Sequence, residues 1–244
     1  MKLFTWSLTA ALLAAPMCQD PAVDPAPRDA ATRFLARTEP PVTQAIALRH
    51  LVATTRGGSM SGWVDACTAL DAGELRYWIV GEGGSGAVRK RALIAALDGE
   101  VKARKENATG AALDPSNYEF APEISEGGLL RVGLTPRRKE TMLIEGAMFL
   151  SAEDADLVRL EGRLVKPPSF WTRQVNVVRR YARTAGVRVP MSMESTAKVL
   201  VVGTSTFAMT YQYLSINGES VPEESGTAGP DAQVCAAPPA ENAG

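Results

Sequence analysis

Hydrophobic residues along this chain recur mostly at every second position, the period of a pleated strand with one face turned from water. The alternation is clearest near the C-terminus. Val175, Val177 and Tyr181 share one parity, as do Val187, Val189, Met191 and Met193, and again Phe207, Met209, Tyr211 and Tyr213. Arg180, Arg188, Glu194, Thr206 and Thr210 take the other parity. Runs of this kind predict strands over 45–55, 63–70, 75–80, 129–134, 141–150, 157–165, 174–181, 187–195, 198–202 and 206–216. Clusters such as Arg56-Gly57-Gly58-Ser59 and Asp71-Ala72-Gly73 divide them, and the close spacing favours antiparallel hairpins.

Helical spacing occurs twice. One helix is predicted over 28–37, ended by Pro40 and Pro41. A longer one spans 87–105, where Leu93, Leu97 and Val101 form an apolar stripe and Arg89, Lys90, Lys102 and Arg104 fill the wet side. The sum is an α+β domain around one large antiparallel sheet. Its greasy face has to be covered by helices, a second layer or a ligand.

The ends of the chain read differently. Lys2 precedes an apolar run from Leu3 to Ala15, and the chain then turns polar, which is the pattern of a secretory signal peptide over 1–18. The run is too short to span a bilayer. Export to the periplasm follows as the expectation, with the mature chain starting between Ala15 and Pro27. Cys18 stands where a lipidated cysteine would, but Ala15-Pro16-Met17 departs from the usual Leu-small-small box. Pro21, Pro25 and Pro27 mark 19–27 as a linker, and 28–217 is the folded domain. The Glu, Ser, Gly, Pro and Ala of 218–244 predict a disordered tail. Cys67 and Cys235 can pair in an oxidising compartment, yet Cys235 lies in that tail, which favours an unpaired role.

Composition excludes some functions. The chain has 26 basic against 27 acidic residues among 244, without the positive excess of a nucleic-acid binder, and 45% hydrophobic content is ample for a core. A monomer is expected. Gly81-Glu82-Gly83-Gly84-Ser85-Gly86 matches G-x-G-x-x-G. No buried parallel strand with an acidic ribose ligand follows, so the glycines read as a turn that folds the helix back, and no cofactor is expected. The one histidine, His50, would have to serve any Ser-His-Asp site and reads instead as a half-exposed strand residue. Scattered cysteines offer no metal cluster. Paired carboxylates leave no spacing signature, so a carboxylate hydrolase stands as one alternative. Arg137-Arg138-Lys139 and Arg179-Arg180 with Arg183 and Arg188 are basic turns, read as solvated hairpin ends or as contacts for anionic headgroups, hence peripheral or transient membrane contact. Phe170 and Trp171, after Pro167-Pro168-Ser169, are a cavity rim, a partner contact or a plug for the sheet.

Four stretches together carry a resemblance: 134–138 (LTPRR), 160–171 (LEGRLVKPPSFW), 186–190 (GVRVP) and 209–213 (MTYQY). They resemble exported bacterial relatives of the outer-membrane lipoprotein-sorting and carrier (LolA-like) proteins, over roughly 45–217. That resemblance implies a curved antiparallel sheet, an incomplete barrel, with helices on its concave side and an apolar cavity for acyl chains. It attaches no catalytic motif, and the carrier's cavity arginine has no residue-by-residue equivalent here. Val175, Val177, Tyr181, Met191, Met193, Phe207, Met209 and Tyr211 are the candidate lining. The expectation is a non-enzymatic carrier for a lipid acyl chain or a lipidated protein. A partner-binding sensor or structural envelope protein on the same fold is the other alternative.

Overall fold

The computed structural model describes residues 29–106, 112–140, 142–166, 172–200, 203–222 and 232–235. One open antiparallel sheet dominates, in the order β3-β2-β1-β10-β9-β8-β7-β6-β5-β4. Its strands are β1 (Gln44–Thr55), β2 (Met60–Asp71), β3 (Glu74–Gly84), β4 (Tyr118–Glu126), β5 (Leu129–Pro136), β6 (Ile144–Ser151), β7 (Leu157–Leu164), β8 (Thr172–Thr184), β9 (Val187–Val199) and β10 (Gly203–Ile216). The short β11 (Glu219–Ser220) pairs with the end of β10. β3 and β4 remain as free edges, so the sheet is not closed into a barrel. Bulges at Ile46/Ala47, Asp65/Ala66 and Arg180/Tyr181 add the bends that curve it.

Two helices cover one face. α1 (Ala30–Ala36) starts at Asp29, whose carboxylate accepts from Thr32 N at 2.7 Å, and the Ala30 N–H donates to Glu123 of β4. Ala30, Ala31 and Phe34 close a core with Tyr118, Val132, Leu134, Met148 and Leu160. The long helix, residues 86–105, is α-helical over Gly86–Val88, π-helical over Arg89–Ile94 and α-helical again over Ala95–Lys105. Its Val88, Leu93 and Leu97 pack on Leu51, Ala53, Val64, Ala66 and Met209 in a second core. Met193 touches both cores, and the α+β reading of the sequence stands.

Several local expectations change. The glycine run is not a turn but the end of β3, with Gly81, Gly83 and Gly84 opposite Asp65, Trp63 and Gly62 of β2. Glycine is required there because a Cβ on Gly83 would lie 2.5 Å from the Trp63 indole nitrogen. One on Gly84, at φ +76°, would lie 2.5 Å from the Ser61 carbonyl. Residues 198 and 199 extend β9 rather than starting a new strand, and β4 has no counterpart among the predicted runs.

The cysteines also differ from expectation, since Cys67 and Cys235 form a disulfide. Cys67 points to the outer face, opposite the helices, and both cysteines are buried there with Leu48, against Ile46, Trp78, Val80 and Leu214. The turn Ala232–Cys235 is thereby fastened over an apolar patch that would otherwise be wet.

Candidate functional site

Sheet parity and the long helix together make a groove on the helix-bearing face. Its floor is Ala53, Ser195, Ala197, Ser205 and Phe207 from β1, β9 and β10. Its wall is Ala87, Val88, Arg91 and Ala92, from the first turns of the helix. The volume is about 330 Å³, at the small end of ligand sites. Small side chains on the facing elements leave the space between helix and sheet unfilled here. The π-helical stretch lies in this wall, a geometry often found at functional positions. Arg56 and Arg91 stand at the mouth.

Deeper along the same face lies Arg179, which pairs with Leu160 and Met193 across the strands. Its Nε is buried without a hydrogen-bond partner. No ion pair involves it among the described residues, and it influences Tyr118 and Tyr211 electrostatically. Burial pushes the Tyr211 phenol up, with Glu100 adding to the rise and Arg49 opposing it. Arg179 is half-buried, and its buried Nε–H is a donor free for a polar ligand group.

The eight residues singled out from parity divide among three places. Val175 and Val177 are buried in the core that α1 helps to close, with Tyr181 and Met193 packed against that core. Met209 is buried under the long helix, with Phe207 and Tyr211 beside it. Met191 joins Val187, Val189 and Ile216 in a separate cluster. Phe207 is the member that lines the groove. Phe170 and Trp171 lie outside the described residues.

Two further clusters gather charged side chains, one at His50 and one at the basic turn of Arg138 and Lys139. On the outer face, His50 Nδ1 lies 2.5 Å from Asp65 Oδ1, beside the half-exposed Trp63. Among the described residues no hydroxyl or thiol is hydrogen-bonded to His50. At one end of the sheet, Arg138, Lys139, Arg163 and Arg173 surround a hollow of about 530 Å³, with Glu145 as its carboxylate. Among the described residues no three of His, Cys, Asp and Glu are grouped to hold a metal ion.

No protein-family model matches the chain, and no curated protein matches it. A solved structure of a DUF1329 family protein from Desulfovibrio piger is similar at TM-score 0.35 and 10% identity, covering 70% of this chain and 84% of that one.

Proposed function

We propose that the chain is a non-enzymatic binding module, working in the periplasm, whose groove takes the acyl chain of a lipid or of a lipidated protein. The observation that carries this is the opening between residues 86–92 and strands β1, β9 and β10, walled mainly by small apolar and hydroxyl side chains. Such a site binds an apolar chain by burial, at about 0.8 kcal/mol for each methylene removed from water. Arg179 supports the same reading, because it offers an unsatisfied donor two positions deeper for an ester carbonyl or head group.

The test is uptake of a fluorescent fatty-acid analogue by the purified chain. Saturable binding, competed by unlabelled palmitate, is expected. Absence of any saturable uptake would overturn the reading. The outer-face His50, Asp65 and Trp63 favour a second reading, a partner-binding envelope protein. Native mass spectrometry of protein taken from its own envelope separates the two, since a carrier retains lipid and a partner-binding protein retains a protein.

A further inference from the structure

We infer that the end of the sheet carrying the groove mouth docks on an anionic lipid surface. Because every pairing is antiparallel, one end collects the C-termini of β1, β3, β5, β7 and β9 with the N-termini of β2, β4, β6, β8 and β10. The groove opens there, at Thr55, Arg56 and Met60. The basic hollow opens there too, at Pro136, Arg138 and Arg173. They are close neighbours: Ala197 of the groove pairs with Val175, and Gln174 of the hollow pairs with Lys198.

Charge separates along the strands. Arg56, Arg91, Lys139, Lys166, Arg173 and Lys198 are exposed at this end, and none is ion-paired with a described carboxylate. At the opposite end the hairpin turns carry Asp71, Glu74, Glu126, Glu153 and Asp154, of which Glu126 and Asp154 pair with Arg131 and Arg37. Under a net charge of −1, unpaired cations thus gather at one end, while the hairpin turns of the other are mainly acidic. The acidic end is repelled from a negative membrane and the basic end is drawn to it, so the chain approaches in one orientation. The cations flank an apolar mouth, an arrangement that matches a bilayer interface, where head-group charge borders acyl chains, better than a uniformly charged polyanion. Bound in this way, the groove faces the lipid.

This goes beyond acyl binding and can fail independently of it, because vesicle adhesion and probe uptake are separate measurements. The experiment is co-sedimentation of the full chain with vesicles of phosphatidylcholine alone, or of phosphatidylcholine with phosphatidylglycerol. Binding is expected only to the second and is expected to weaken steeply as salt rises. The triple variant Lys139→Gln, Arg173→Gln, Lys198→Gln should bind about a hundredfold more weakly, at roughly fivefold for each cation removed. The variant Glu74→Gln, Glu153→Gln at the other end should bind at least as well as the unaltered chain. Equal binding to both vesicles, or unchanged binding by the triple variant, would overturn the inference.

Discussion

Arg49, buried in the middle of β1, grips Glu100 of the long helix with both terminal nitrogens, at 2.5 and 3.2 Å from the two carboxylate oxygens. Its Nε donates to Thr68 at 3.1 Å, and its guanidinium lies 4.8 Å from the centre of the Tyr211 ring. Burial works against the Arg49 charge, and Glu100 more than compensates. The pair pins the helix to the sheet. Glu100→Ala should lower stability by about 2–3 kcal/mol, less than for a fully buried pair because Glu100 is one-third exposed. The double variant Arg49→Met, Glu100→Leu should recover much of that loss. Urea unfolding followed by circular dichroism measures both.

Filling the groove and overpacking the core should have different signatures. Ser195 lines the groove, so Ser195→Trp is expected to abolish fatty-acid probe uptake with little change in melting temperature. Met209 is 5% exposed beneath the long helix, so Met209→Trp should destabilise by about 1–3 kcal/mol. Parallel thermal melts and probe titrations distinguish them.

The β3 glycines should behave as packing residues. In Gly83→Val the new side chain meets the indole of Trp63 and forces it off the sheet, which a red shift in tryptophan emission would report. The loss of stability should be about 1–3 kcal/mol. Neither NAD nor ATP should bind the unaltered chain, as isothermal titration would show.

Reduction of Cys67–Cys235 should release the Ala232–Cys235 turn and uncover Trp78 and Val80. The bridge spans a sequence separation of 168 residues, and its loss should cost about 2–4 kcal/mol. Urea midpoints with and without reductant test this, and Cys67→Ser should reproduce the reduced value.

Stability should fall at both extremes of pH. Burial opposes the charge of Asp156, yet hydrogen bonds and attraction from Arg183 and Arg188 outweigh it and hold the carboxyl below its ordinary 3.8. A depressed folded value contributes stability above the unfolded value, and that contribution is lost as pH falls through the folded one. Burial and the hydrogen bond to Asp98 push Tyr77 up to about 12 from 10.0. Its contribution is complete below pH 10.0 and disappears as pH rises towards 12. Asp156→Asn should flatten the acid side of a urea-midpoint profile, and Tyr77→Phe the alkaline side.

Strand parity was legible in the sequence because one face of the sheet is dry along most strands. β4 was not, because an edge strand has a single neighbour: Glu119, Ser125 and Glu126 stay wet, Pro122 needs no partner, and a bulge between Phe120 and Glu123 breaks the alternation. Parity also identifies a face without giving depth. Val175, Val177 and Met209 lie in packed cores. The groove is lined instead by Ala53, Ala87, Ala92, Ser195 and Ala197, whose small side chains create the space and leave almost no hydrophobic signal. The disulfide escaped because spacing along the chain says nothing about which turn returns to the outer face.

The π-helical stretch amounts to a slipped thread in a screw. Val88 and Leu93 are five residues apart and Leu93 and Leu97 four, yet all three are buried. In an ordinary α-helix, at about 100° per residue, Val88 would swing some 140° away from Leu93. The slip lets the segment bearing Ala87 and Arg91 and the segment that Glu100 fastens to Arg49 bury one common face. Winding these six residues as α instead would turn Val88 out of the core that it shares with Leu93 and Leu97. One helix thus keeps a single dry side along its whole length, although its sequence is out of step with the ordinary turn.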